Sequence, residues 1–408
     1  MSVVGLVVEY NPLHNGHYFH FEQAKKTTQA DATVIVMSGN FLQRGEPALV
    51  DKWARTEMAL RMGADLVLEL PYVFATQHAQ HFAFGAISIL HQLPFVTHLC
   101  FGSEHGEINP FLNYAAKLVN EPLALKEKIR SEMKSGISYP QAYMTALEEM
   151  SLPNEDPAFL KQPNNILGLQ YVVALKKLNS QIQPTTIKRE KAGYNDTSFS
   201  DQHIASATSI RKAIFDAESP AWNLIRNYVP DFTFDILLRE AEQGKGPISW
   251  ESFAPQLFHT LLSQSPEQVK SLYEIEEGIE YRLRDKASVS LSIKELIEQT
   301  KTKRYTWNRI QRMLVHILHQ FPKLSADQLK LMQGASYLRL LGYSTKGREL
   351  LNQSKKELQL PLISAIKKEH PAMLDWDIHS SRIYSQGFAK QSTENRNREL
   401  KQPPIAIK

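Results

Sequence analysis

The sequence predicts an α/β chain: a Rossmann-like parallel sheet over residues 1–217, followed by an α-helical domain over 218–385. Three observations carry that reading. Short apolar runs alternate with longer segments of helical character up to about residue 215. Turn residues end most of the apolar runs. The alternation then stops, and the rest reads as helices separated by Pro and Gly signals such as Gly244-Lys245-Gly246-Pro247. Alternating strands and helices imply a parallel sheet covered on both faces.

In chain order, the apolar run 3–8 reads as a buried strand, extending to about residue 9, and a helix follows at 15–29. Thr33-Val34-Ile35-Val36-Met37 is the second strand, ending at Ser38-Gly39-Asn40. A helix over about 51–62 leads to the strand Asp65–Leu70, which Pro71 stops. A helix over 78–92 leads to the strand Thr97–Phe101, ending at Gly102-Ser103. A helical insertion is expected near 109–150. Pro153, Pro157 and Pro163 punctuate a loop, and Asn164-Asn165 is expected to cap a helix from Ile166 to Leu178. A fifth strand over about 183–189 ends in Lys188-Arg189. Residues 386–408 are polar and aperiodic, so they are expected to form a flexible tail.

Composition narrows the function classes. The 408 residues suit two or three domains. One cysteine, Cys100, excludes an internal disulfide framework and a Cys-rich zinc site, which favours a reducing cytoplasm. No apolar stretch reaches membrane-spanning length, and the N-terminal run has no basic flank, so neither a membrane span nor a signal peptide is expected. Residues 1–215 hold 19 Lys+Arg against 20 Asp+Glu, and the rest hold 28 against 23. The positive excess therefore lies in the second half. It hints at a polyanionic partner, although an ordinary solvated surface accounts for it as well. His78 and His81 have a usable metal-ligand spacing, but no Asp, Glu or Cys set completes a site, and no metal site is assigned.

The most informative stretch is Val7-Val8-Glu9-Tyr10-Asn11-Pro12-Leu13-His14-Asn15-Gly16-His17-Tyr18-Phe19-His20. A strand end here delivers two imidazoles and a glycine to a helix N-terminus. The helix dipole and free backbone N–H groups attract phosphate there. Gly16 lets a ligand approach the backbone, and His14 and His17 can donate to oxygens of an α-phosphate as charge builds. The pattern is the HxGH signature of the nucleotidyltransferase and class I synthetase superfamily. His14, Ser38, Gly39, Gly102 and Ser103 all fall at the carboxyl ends of strands, where such sheets bind ligands.

Further candidates lie downstream. Ser206-Ala207-Thr208-Ser209-Ile210-Arg211 opens a helix, where hydroxyls either cap it or hold phosphate, and Arg211 can reach β- and γ-oxygens. Asn164 and Asn165 suit either an adenine edge or a helix cap. Gly102 is either a close-approach or a turn glycine, and Lys188-Arg189 either meets phosphate or is solvated. In the second half, residues 299–326 contain no Asp or Glu. At helical spacing Arg309, Arg312, His316 and His319 share one face, and Ile310, Met313, Leu314 and Ile317 share another. With Lys301, Lys303 and Arg304, this one-sign face reads as a phosphate-backbone contact surface, with Tyr305 and Trp307 placed to stack on bases. A membrane surface or an acidic protein would suit it too.

The HxGH stretch occurs together with Ser38-Gly39-Asn40-Phe41-Leu42-Gln43-Arg44-Gly45-Glu46-Pro47-Ala48, Gly63–Pro71, Asn164-Asn165-Ile166-Leu167-Gly168, Ser206–Arg211, Lys303–Thr306 and Leu340–Tyr343. In that order these segments resemble the bacterial tRNA(Met) cytidine acetate ligase family. The resemblance implies an ATP-dependent ligase. Acetate would be activated as acetyl-adenylate and passed to N4 of the wobble cytidine of elongator tRNA(Met), with Mg²⁺ accompanying ATP. By motif it implies an ATP site of Val7–His20, Gly102, Asn164 and Arg189, to which the residue reading adds Ser209 and Arg211. The tRNA would meet Lys301, Lys303, Arg304, Arg309 and Arg312. Two other functions fit the same fold: a coenzyme-type nucleotidyltransferase and a non-catalytic RNA-binding protein.

Overall fold

The computed structural model describes residues 1–119, 123–137, 139–149, 159–189, 205–215 and 222–408. Among the described residues eight strands build one sheet: β1 (Val3–Val8), β2 (Ala32–Ser38), β3 (Leu66–Leu70), β4 (His98–Ser103), β5 (Gln183–Lys188), β6 (Leu338–Tyr343), β7 (Leu362–Ile363) and β8 (Ile405–Ala406). Their order is β5-β4-β1-β2-β3-β6-β7, with β8 beside β6. The first five strands are parallel. Every residue of β2 and β3 is buried, as expected of strands covered on both faces.

The two faces divide by alternation along each strand. Val34, Val36, Leu66 and Leu68 pack with Ile87 and Leu90 of the helix Ala79–His91. Ile35, Met37 and Val67 face Phe21 of helix α1 (Asn15–Thr28) and Met58 of helix α2 (Lys52–Met62). Burying a Leu- or Phe-sized side chain contributes about 1.5–3 kcal/mol, so a one-residue slip in register would be costly. Gly5 sits where a Cβ would lie 2.8 Å from Leu90 Cδ2, so the helix crosses β1 closely.

From β1 the chain builds β2 and β3 to one side, then returns to lay β4 and β5 on the other. The order therefore reverses between β1 and β4, and ligands on open parallel sheets bind in the crevice at such a reversal. The HxGH segment leaves β1 at that point.

Two expectations about the second half need correction. Residues 218–385 are mostly helical, as expected, but they also extend the sheet, because β6 pairs antiparallel with β3 and β7 pairs with β6. The apolar run Leu338–Tyr343 gives no hint of its partner, which lies far away in sequence. Residues 386–408 are not a loose tail either. They form short helices at Thr393–Arg396 and Arg398–Lys401 and the strand β8. Arg398 meets Asp51 at 2.6 Å, and Glu399 meets Lys52 at 2.9 Å and Arg339 at 3.1 Å. Glu399 is thus the shared counter-charge of two buried cations, and Arg398 that of the buried Asp51 carboxylate.

The expected insertion region holds the helices Asn109–Leu118, Leu123–Lys134 and Tyr139–Glu149. No helix among the described residues is long and apolar enough to cross a membrane.

Candidate nucleotide site

The site begins where β1 ends. Tyr10 takes a left-handed conformation, φ 50°, and the Asn11-Pro12 peptide is cis. Together they turn the chain so that His14 caps α1. The His14 Nδ1 accepts the Gly16 N–H at 3.1 Å. In the neutral ring that fixes the proton on Nε2, leaving Nε2–H as a donor. The first turn of α1 carries no acidic residue, so its positive end is not quenched.

His17 lies against His14, ring centroids 3.8 Å apart, and Tyr10 meets His17 edge-on at 5.1 Å. Burial lowers the His14 pKa to about 3, and the Arg189 and Arg211 charges push the same way. Burial lowers His17 well below the usual histidine range, with His14 and Arg189 adding to it. Burial and then Arg189 lower His20 to about 4. All three imidazoles are therefore neutral at pH 7, and the positive charge belongs to the arginines. His17 Nδ1, His20 Nε2 and the Asn11 amide nitrogen are buried and lack a hydrogen-bond partner among the described residues. Unsatisfied buried polar atoms are uncommon in proteins, and these three belong to one short segment at the end of β1.

Other elements converge on this point. A Cβ on Gly102, in β4, would lie 3.3 Å from Arg189 Cγ and 3.7 Å from His20 Cδ2. The side chains of Arg189, just after β5, and His20, in α1, thus both pack over Gly102 at the end of β4. The Arg189 N–H donates to the Ser103 carbonyl at 2.8 Å. Arg211, from the helix Ala207–Phe215, donates to the Asn11 carbonyl at 2.8 Å and pairs with Glu46 at 2.9 Å. His14, His17, His20, Gly102, Arg189 and Arg211 therefore share one locality.

The remaining expected residues differ in placement. Val7, Val8 and Glu9 are half-buried at the end of β1, and Pro12 and Leu13 are buried beneath the turn. The Glu9 carboxylate accepts the Gln43 N–H at 2.7 Å. Asn15 donates to the Asn227 carbonyl, while Tyr18 and Phe19 are exposed. Asn164 and Asn165 do not cap their helix. They lie inside its first turn, Pro163–Lys177, behind a cap at Gln162. The Asn164 amide meets Glu104 at 2.6 Å, which brings it beside the end of β4. Ser209 lies in the first turn of the helix Ala207–Phe215. It is buried, its N–H donates to Ser206 Oγ, and its hydroxyl bonds the Ser206 hydroxyl and carbonyl. It is spent on the helix start.

The basic stripe of the second half is a surface only in part: Arg304, Arg309 and Arg312 are half-buried. In the helix Trp307–Leu318, His316 is fully buried, and His319 just beyond it is buried as well. Burial lowers both imidazoles below their ordinary range. Arg312 pairs with Glu274 at 3.3 Å, Arg304 pairs with Glu277, and Arg309 lies over the Tyr305 ring at 4.8 Å. The stretch lacks acids in sequence, but a neighbouring segment supplies them in space. Lys301 and Lys303 stay exposed.

Sequence reading missed Arg55. It looks like a helix-surface residue, yet it is fully buried. It donates to the carbonyls of Glu9 at 2.7 Å, Ser38 at 3.0 Å, Val50 at 3.1 Å and Gly39. One guanidinium thus ties the ends of β1 and β2 to the loop before α2.

Comparison with known proteins agrees with this geometry. A model of the HIGH nucleotidyl transferase family matches residues 1–399. The tRNA(Met) cytidine acetate ligase of Lysinibacillus sphaericus is 44% identical over 99% of this chain and 100% of its own. This chain belongs to the tRNA(Met) cytidine acetate ligase family. The Bacillus licheniformis ligase is 45% identical over 94% of this chain and 92% of its own. The crystal structure of Thermotoga maritima TmcAL in its apo form I covers all of both chains, with TM-score 0.92 and 36% identity. A second form, bound with alpha-thio ATP, gives TM-score 0.91 and 34% identity, again over all of both chains.

Proposed function

We propose that this protein activates acetate with ATP and transfers the acetyl group to N4 of the wobble cytidine of elongator tRNA(Met), working in the cytoplasm. The observation that carries the reading is the neutral imidazole pair at the start of α1, at the strand-order reversal, flanked by Arg189 and Arg211. Full-length similarity to tRNA(Met) cytidine acetate ligases supplies the substrate class.

The chemistry suits these groups. Acetate is a weak nucleophile, and phosphate charge repels it. The site must align acetate with the α-phosphorus and stabilise charge as pyrophosphate leaves. His14 Nε2–H donates to the α-phosphate, and the unquenched positive end of α1 favours the anion there. Neutral imidazoles suit that task, since they donate without holding the phosphate as a fixed ion pair. Arg189 and Arg211 supply the positive charge, and Val7–His20, Gly102 and Asn164 shape the nucleotide cradle. No group of three His, Cys, Asp or Glu gathers for a metal among the described residues, so Mg²⁺ would arrive on the phosphates of ATP. The N4 amine then attacks the acetyl carbonyl, AMP leaves, and the nitrogen loses a proton. The target base must leave its stack to reach the crevice.

Acetate-dependent exchange of pyrophosphate into ATP tests the first step. Exchange that is strong with acetate and weak with longer carboxylates supports the reading. Exchange independent of carboxylate overturns it.

A further inference from the structure

The segment Phe41–Pro47 has no part in the function described above, yet it touches both halves of the molecule. Phe41 bridges Pro47, the Leu42 N–H donates to the Glu46 carbonyl, and the Gly45 N–H donates to the Leu42 carbonyl, each donor 2.9 Å from its acceptor. The result is a tight, closed loop. On one side Glu46 pairs with Arg211 at 2.9 Å, and the Gln43 N–H meets the Glu9 carboxylate. On the other side Gly45, at φ 78°, lies against the helix Trp307–Leu318. A Cβ there would sit 2.2 Å from the Arg312 nitrogen, and Gln311 donates to the Arg44 carbonyl at 3.2 Å. A side chain at position 45 would separate loop from helix, so the two are in close backbone contact.

Arg211 has two claimants. The structure gives its guanidinium to Glu46, and the proposed function asks it to hold phosphate. The Glu46 and Arg211 side chains are 27% and 20% exposed, so water and ligand reach the pair. A triphosphate carries several times the charge of one carboxylate and engages guanidinium groups through charge-assisted bonds. Resting on that proposed function, we infer that Glu46 is the residue that sets ATP affinity, a counter-ion that the triphosphate displaces from Arg211, and that its loop carries the displacement to the helix Trp307–Leu318.

The test is a four-member cycle: wild type, Glu46→Gln, Arg211→Ala and the double variant. Binding of a non-hydrolysable ATP analogue is measured in each, and amide exchange is followed in the wild type and Glu46→Gln. Removing an ion pair of this exposure is expected to tighten binding about two- to fivefold in Glu46→Gln. The gain should vanish when Arg211 is alanine. In the wild type the analogue should change exchange across Phe41–Pro47 and the helix Trp307–Leu318. In Glu46→Gln that change should be absent, because the loop is already released. Unchanged or weaker binding in Glu46→Gln, a gain that survives in Arg211→Ala, or exchange that ignores the analogue overturns the inference. Undiminished binding in Arg211→Ala overturns the assignment of Arg211 to phosphate, and this inference with it.

Discussion

His14 is held neutral by burial, Arg189 and Arg211, and His17 by burial, His14 and Arg189, so their protonation is already decided at pH 7. Each is expected to contribute through donated hydrogen bonds. His14→Ala or His17→Ala should lower acetate-dependent exchange on the order of 100-fold, with the melting temperature nearly kept. Wild-type rates in a folded variant would remove the role. The depressed pKa values also make a pH prediction. kcat/KM for ATP should show no inflection near 6.5, because the groups titrating in the protein lie near 3 for His14 and 4 for His20. Arg189→Ala removes a like charge, so the ring titrations of His14 and His20 should move upward when followed by NMR. HxGH was legible because the chemistry needs those residue types next to one another. Arg55 and Glu46 were not, because what each touches comes from elsewhere in the chain.

At the scale of elements, the decisive feature is a buried ionic group beneath the strand ends. Lys52 meets Glu69 at 2.7 Å and Glu399 at 2.9 Å, and Arg339 meets Glu399 at 3.1 Å. Burial raises Glu69 to about 8, and Asp377 and Glu399 add to it while Lys52 opposes. Glu399 comes from the last residues of the chain, so these residues are structural. Glu399→Gln should destabilise the fold by about 3–5 kcal/mol in denaturant titration, because two buried cations lose their shared partner. A loss below about 1 kcal/mol would mean that water reaches the group. The first five strands and their helices were readable from apolar runs and turns. The strand β6 was not, since a short, mostly apolar segment interrupted by Arg339 is ambiguous until its partner is known. The Trp307–Leu318 stripe misled for a related reason: helical periodicity reports faces, not what covers them. Arg312→Ala should therefore lower stability through the lost Glu274 pair, without a matching change in tRNA affinity. Lys301→Ala with Lys303→Ala should leave stability alone. If both contact phosphate, the log–log salt dependence of tRNA binding becomes shallower by about 1.4–1.8. An unchanged slope would place the tRNA elsewhere.

For the whole molecule, stability should depend on pH in a definite direction. His14, His17, His20, His78, His316 and His319 all have lowered pKa values, with burial the first cause in each. The unfolded chain takes up their protons as pH falls through about 6.5, while the folded chain does not. Stability tied to these groups is full above that pH and falls toward pH 4, each imidazole contributing up to about 1.4 kcal/mol per pH unit. Raised carboxyls such as Glu69 and Asp377 oppose this, but they are fewer. The melting temperature at pH 5 should thus lie well below that at pH 7. A flat profile would mean that the imidazoles are more hydrated than their burial indicates.

The whole chain, with one sheet shared by both halves, is expected to perform both steps of the reaction. The most direct measurement incubates it with ATP, labelled acetate and elongator tRNA(Met), then analyses the tRNA nucleosides by mass. The account predicts labelled N4-acetylcytidine at the wobble position, with AMP formed in step with it. AMP without acetylated tRNA, or label at any other nucleoside, would contradict it.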